Sequence, residues 1–281
     1  MIIEQSEQVI REIKKVFIGK DDIIEKVLMT IYAGGHVLLE DAPGVGKTTL
    51  ALGFSKALGL DYKRVQFTPD TMPSDITGFN VYNRNTDEFE YKPGAADCHL
   101  LLGDEINRTS PKTQAALLEV MEEGSVTVDG VTHILPKPFI CIATQNHYGS
   151  AGTQALPESQ LDRFMVRLSI GYPGRDSQVE ILKNRHGIGD LDYVRPMMTR
   201  DDVKEIQGYL YFVRITDDIL YYITDLCAET RKSPMVELGV SPRGVQAVAQ
   251  LVKARAVLKE RDYSKALKLA TACGGATAFH S

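Results

Sequence analysis

The alternation of apolar and polar positions divides the chain into a first part that mixes strands with helices and a second part that is helical throughout. Ile3, Val9, Ile10, Ile13, Val16 and Phe17 fall at near-helical spacing and predict an opening helix over 3–17, ending near Ile18-Gly19. A second helix is expected from Ile23 to about Ala33, capped by Asp21 or Asp22 and stopped by Gly34-Gly35. The apolar runs Val37–Leu39, His99–Leu102, Phe139–Thr144 and Met165–Ile170 read as buried strands, and Tyr62–Phe67 as a more polar one. Helices are expected over 48–58, from Ser110-Pro111 to about Glu123, and over about 157–162. Two hairpins punctuate this part: Phe79–Tyr82 with Glu88–Tyr91 inside a long irregular connection, and Val126–Val128 with Val131–Leu135 around Asp129-Gly130. Past Gly171-Tyr172-Pro173-Gly174 the pattern predicts helices alone, at Asp176–Arg185, Thr199–Phe212, Thr216–Arg231 and Ser241–Arg261. The expected fold is therefore α/β with a parallel sheet over 1–173, followed by a small all-helical domain over 174–281. Its last stretch, Ser264–Ser281, is poorly patterned and expected to be frayed or loosely packed.

Composition narrows the setting. The chain has 281 residues, a net charge of −5 and 43% hydrophobic residues, which suits a soluble globular protein with room for two cores. The acidic balance argues against a sequence-independent nucleic-acid binder. No apolar run approaches a membrane span, and the amphipathic N-terminus does not read as a signal peptide. Cys98, Cys141, Cys227 and Cys273 are scattered without a C-x-x-C pair, so reduced thiols and a cytoplasmic location are expected.

The candidate chemistry begins at Val37–Thr49, VLLEDAPGVGKTT. An apolar run, a Pro/Gly-rich turn and Gly46-Lys47-Thr48 opening a helix give the strand–loop–helix setting of a phosphate-binding P-loop. Its amides would cradle phosphates at a helix N-terminus, Lys47 would reach the β- and γ-phosphates, and Thr48 would place its hydroxyl on Mg²⁺. Asp41 stands where the general pattern has its first glycine. A later buried strand runs into Asp104-Glu105: Asp104 can hold Mg²⁺ through water, leaving Glu105 free to polarise an attacking water. Asn146 follows the next buried strand and can orient that water, although asparagine after a strand is also an ordinary turn residue. Arg163 precedes the last strand, where it can point at a neighbouring subunit or pair with Asp162 or Glu158. Arg243 opens the final long helix, where a cation faces the unfavourable end of the dipole; a phosphate partner would account for it, as would plain solvation.

Taken in order, LLEDAPGVGKTTLA, FTPDTMPSDITG, FEYKPG, LLLGDEINRTSPKTQAALLEVMEEGSVTVDG, IATQN, LPESQLDRF and VSPRGVQAV resemble the MoxR-type AAA+ ATPases, of the helix-2-insert clade, over roughly residues 9–263. The resemblance implies a P-loop AAA+ module with a five-stranded parallel sheet and a helical lid. It implies a Walker A segment formed by Ala42, Pro43, Gly44, Val45, Gly46, Lys47, Thr48 and Thr49. Asp104 and Glu105 become Walker B, Asn146 sensor 1, Arg163 an arginine finger and Arg243 sensor 2. Ile18 and Gly19 match the adenine pocket, and the hairpins match the helix-2 insert and the pre-sensor hairpin, on the pore side of a ring. ATP and Mg²⁺ are the implied cofactors. A homo-hexameric ring, a protein substrate and a partner with a von Willebrand factor A domain are the implied associations, in chaperone-like remodelling. A metal-chelatase ATPase subunit is the nearest alternative; a nucleic-acid motor or a P-loop kinase fits less of the series. The chain departs from the family at His147-Tyr148-Gly149, where a proline and a glutamate are usual, at Gly103, where alanine is common, and beyond Tyr263.

Overall fold

The computed structural model describes residues 2–42, 44–145, 156–183 and 191–259. The chain opens with α1 (Ile2–Lys14) and α2 (Asp21–Tyr32), then alternates β1 (Val37–Glu40), α3 (Lys47–Ala57) and β2 (Tyr62–Gln66). A short α4 (Pro73–Thr77) leads into the hairpin β3 (Phe79–Asn83) and β4 (Glu88–Lys92). Next come β5 (Leu100–Asp104), α5 (Pro111–Glu123), the hairpin β6 (Ser125–Val128) and β7 (Val131–Ile134), and β8 (Ile140–Gln145). A single turn, α6 (Glu158–Leu161), precedes β9 (Val166–Leu168). From there the described residues form α7 (Arg175–Lys183), α8 (Arg200–Phe212), α9 (Asp217–Lys232) and α10 (Pro242–Leu258).

The five-stranded sheet runs β2-β5-β8-β1-β9, with every pairing parallel. Strands buried on both faces carry continuous apolar sequence, which is why β1, β5 and β8 read as unbroken hydrophobic runs. Alternate side chains serve different cores: Val37, Leu39, Leu100, Leu102, Ile140 and Ile142 face α1, α2 and α3. Leu38, Leu101, Cys141 and Ala143 face the layer containing α5. The edge strand β2 is YKRVQ and half-exposed, so its long polar side chains keep the outer edge in water. In the helical part, Ile219, Ile223 and Cys227 of α9 pack on Val248 and Val252 of α10. Leu251, Ala254 and Leu258 of α10, with Val203, Ile206 and Leu210 of α8, instead join the core under α1 and α2. The helices are thereby anchored to the sheet layer.

Local signals mostly act as expected. Ser110 Oγ accepts from the Thr113 amide at 3.3 Å, Ser241 Oγ from Gly244 at 2.9 Å, and Thr199 forms a capping box with Asp202. Asp129 and Gly130 both take positive φ, 49° and 81°, as a type I′ hairpin turn requires. The second helix differs. It begins at Asp21, so the cap position falls to Lys20, which has no acceptor to offer the helix amides, and Asp21 pairs with Lys14 at 2.6 Å across the α1–α2 corner. Thr216 likewise precedes α9 without a side-chain cap bond. Residues 73–77 fold as a helical turn inside the segment read as irregular, bracketed by an Asp75 carboxylate that accepts from the Met72 amide at 2.8 Å. The hairpins lean on each other: Tyr91 stacks on His133 with ring centroids 3.7 Å apart, and Asn80 donates to Asp129 at 2.7 Å.

His36 ties α5 to the sheet just before β1. Its Nδ1 accepts the Cys141 amide at 3.0 Å, which leaves Nε2–H to donate to the Met121 carbonyl, also at 3.0 Å. Burial pushes the imidazole down to about 4, with repulsion from Arg243 adding to it and the Met121 bond opposing it. A depressed folded value means the stabilisation is complete above the unfolded value of about 6.5 and is lost as pH falls from there towards 4. Between pH 7 and pH 5 the wild type should lose roughly 2 kcal/mol more than a His36→Gln variant in urea unfolding. Equal losses would show that His36 does not carry this acid sensitivity.

Candidate functional site

β1 ends against the loop 41–46, and α3 starts at Lys47 with Gly46 at its cap in a left-handed conformation, φ 93°. A cavity of about 350 Å³ opens there, where Gly44, Gly46, Lys47, Thr48 and Thr49 meet residues from three other strands of the sheet. Lys47 is buried, and its Nζ donates to the Asp41 carbonyl at 2.8 Å. Burial pushes its pKa down, while the charges of Asp41, Asp104 and Glu105 pull it back up. Val45 is buried in the core below, and Pro43 lies outside the described residues. Ala42 is half-buried and does not line the cavity.

Across the cavity β5 delivers Asp104, almost fully buried, and then Glu105 in a left-handed conformation, φ 58° and ψ 49°. Such a conformation costs a non-glycine residue about 1–3 kcal/mol and is held in place here by bonds on both sides. The Glu105 amide donates to Thr144 Oγ1 at 2.9 Å, and that hydroxyl donates to Asp104 Oδ1 at 3.3 Å. Glu105 has partners that the sequence did not suggest: Oε2 accepts from Gln66 Nε2 at 3.1 Å and from Arg108 at 2.7 Å. Arg64 Nε donates to Asp104 Oδ2 at 2.7 Å. Gly103, where a Cβ would lie 3.0 Å from the Phe67 ring, lets that buried aromatic close over β5.

Arg163 and Arg243 are not in this cavity. Each places a guanidinium 3.3 Å from Glu122, in the last turn of α5; Arg163 pairs there and not with the Asp162 or Glu158 expected, while Arg243 stays exposed to solvent beside it. Beside them Ser241 donates to both oxygens of Asp162, at 2.7 and 2.9 Å. The His36 bond to Met121 puts this turn at the N-terminal edge of the sheet, whereas the P-loop leaves its C-terminal edge, a strand length of about 13 Å away. Gly19, with φ 81°, fits tightly against α7, since a Cβ there would fall 2.1 Å from Ser177 Oγ. Neither Ile18 nor Gly19 lines the cavity, and Asn146 lies outside the described residues.

Family models place this arrangement. The ATPase family associated with various cellular activities matches residues 36–166, and an AAA lid domain matches 228–273. A crystal structure from Cytophaga hutchinsonii, whose protein carries a provisional description as an ATPase, superposes with a TM-score of 0.88 at 33% identity, covering 99% of this chain and 86% of that one. The uncharacterised YeaC of Bacillus subtilis is 48% identical over 90% of this chain and 79% of its own. Chaperone MoxR1 of Mycobacterium tuberculosis is 34% identical over 92% of this chain and 70% of its own. The chain belongs to the MoxR-type AAA+ ATPases. Asp41 shows what this MoxR-type chain does with the position of the missing glycine. It does not adopt positive φ, and its buried carboxylate accepts from Ser169 Oγ at 3.0 Å, from the Gly171 amide at 3.0 Å and from the Ile170 amide. Asp41→Ala would strand these donors and should lower unfolding stability by about 2 kcal/mol. An unchanged urea midpoint would show that the β9 exit is held by other means.

Sequence reasoning missed Arg64, Gln66, Arg108 and Thr144. A signal existed for the first two: at i and i+2 they share one face of an edge strand, whose partner across the ladder ends in Asp104. Thr144 had none, being read as one more β-branched core residue of FICIAT.

Proposed function

We propose that this chain hydrolyses ATP to ADP and phosphate at sites completed between adjacent subunits of a ring, and uses the cycle for chaperone-like remodelling of a partner protein complex. The observation that carries this reading is the meeting of Lys47, Thr48, Asp104 and Glu105 in one cavity, with Arg163 and Arg243 gathered on the opposite edge. A triphosphate would lie along the amides of 44–48, with Lys47 neutralising its outer oxygens. The donors fit a hard cation. Thr48 and Asp104 supply oxygen, and no cluster of three or more His, Cys, Asp or Glu exists among the described residues, which leaves the other positions to phosphate and water. Mg²⁺, when bound there, would neutralise charge on the transferring phosphoryl group. Glu105 would accept a proton from the attacking water once released by Gln66 and Arg108, and Asn146 would orient that water. Ile18 and Gly19 would border the adenine beside α7.

The pairing of Arg163 and Arg243 with Glu122, about a strand length from the P-loop, supports assigning both to the neighbour's nucleotide, as arginine finger and sensor 2. We take the ring to be a hexamer. A partner with a von Willebrand factor A domain is proposed as its adaptor, with a protein substrate engaged at the exposed aromatics Tyr82 and Phe89 of the first hairpin. The name of the relative MoxR1 supports the chaperone role. The buried free thiols Cys98, Cys141 and Cys227 suit a reducing compartment, and we place the protein in the cytoplasm. Among the described residues no helix is long and apolar enough to cross a membrane.

Phosphate release per subunit, followed from nanomolar to micromolar protein, tests the reading: it should rise steeply as rings assemble. A specific activity independent of concentration, with the protein monomeric throughout, would remove the shared site.

A further inference from the structure

Both oxygens of the Asp104 carboxylate accept a hydrogen bond before any nucleotide arrives. Oδ1 accepts from Thr144, whose hydroxyl is itself fixed by the Glu105 amide, and Oδ2 accepts from Arg64 Nε at 2.7 Å. Each oxygen keeps a second lone pair for a metal-bound water, so a hydrated cation displaces neither donor; the anionic phosphates that arrive in the cavity instead compete with Asp104 for whichever donor can move. Thr144 is buried and neutral, and its oxygen is held by the Glu105 amide, so it has no attraction to a phosphate comparable with that of a cation. Arg64 is different: its side chain is 48% exposed, it lines the same cavity as Lys47 and Thr48, and its other bond, to Gln66, is long at 3.4 Å. The pair is exposed only at its Arg64 end, since the Asp104 side chain is 9% exposed, so Arg64 exchanges one anion for another and does not simply let go into water. A guanidinium is also well matched to phosphate oxygens, to which it can donate two parallel bonds.

We propose that Arg64 stands in for the divalent cation on Asp104 while the site is empty, and turns to the phosphate chain when nucleotide binds. Arg64 is then a phosphate-binding residue supplied in cis by the edge strand, in addition to Lys47. The proposal rests on the nucleotide site described above. It differs from the plainer possibility, that Arg64 only anchors Asp104 to β2, in one measurable respect. A phosphate-binding cation must support nucleotide binding most strongly when no metal is present to share the charge.

The test is calorimetric titration of the full chain with a non-hydrolysable ATP analogue, in EDTA and in excess Mg²⁺, for the wild type and for Arg64→Gln. The ratio of the dissociation constant in EDTA to that in Mg²⁺ is the readout. In Arg64→Gln this ratio should rise about tenfold, the worth of one charge-assisted contact, mainly through weaker binding in EDTA. A ratio within about twofold of the wild type, in a variant with unchanged thermal melting, overturns the proposal and leaves Arg64 as an anchor. Arg64→Met gives the same readout should the glutamine variant fail to fold. Wild-type protein that binds the analogue in neither condition overturns the nucleotide site itself, and this proposal with it. Binding in Mg²⁺ with an unchanged ratio overturns only the role of Arg64.

Discussion

Glu105→Gln should bind ATP as the wild type does and turn it over at least about a hundredfold more slowly, the usual worth of a general base. The substitution keeps the size of the side chain and one acceptor oxygen, so the bonds from Gln66 and Arg108 survive and the left-handed backbone at 105 is not newly strained. What disappears is the capacity to take a proton from water. Because Asp104, Thr48 and Lys47 are untouched, nucleotide affinity measured in the same preparation should stay within about threefold. Turnover close to wild type would assign the base to another group. Loss of binding together with turnover would mean that Glu105 supports the cavity and not the reaction.

An equal mixture of Arg163→Ala and Lys47→Ala proteins should recover activity that neither has alone. An arginine finger is worth about 10³–10⁵ in rate, and a P-loop without its lysine cannot hold the triphosphate productively, so each parent should be nearly silent. In a randomly mixed ring about a quarter of the junctions pair an intact P-loop with an intact arginine, and turnover should reach about that fraction of wild type. A mixture no more active than the average of its parents would place Arg163 in its own subunit's chemistry. The geometry argues against that outcome, since Arg163 and Arg243 share Glu122 at the sheet edge away from the P-loop. Arg243→Ala should complement Lys47→Ala in the same way.

The α/β part was legible because its signals are local. Runs such as LLLGD and ICIATQ, short, apolar and bounded by turn residues, suit strands buried on both faces, and Ser110-Pro111 and Ser241-Pro242 fix helix starts through one hydroxyl each. Lys47, Thr48, Asp104 and Glu105 were legible because they occupy fixed places at strand ends, and the sheet brings those ends together. The pairings were not. Nothing in the spacing of Arg163, Arg243 and Glu122 says that three side chains from separate elements converge. The partners of Glu105, Gln66 and Arg108, could not be read because they are set by strand order and by a single turn after β5. The Asp21 cap was not realised because the helix begins one residue earlier than a cap at Asp21 requires, and Asp21 pairs with Lys14 instead.

The Asp41 carboxylate has a consequence for exchanging parts between relatives. It grips Ser169, Ile170 and Gly171, the residues through which the chain leaves the sheet for its helices. A seam cut between β9 and Gly171 would hand the P-loop a foreign backbone to hold. A transplant joined after Gly171 keeps that grip intact, so grafts of a different helical region should retain nucleotide binding only when the seam lies on the far side of it.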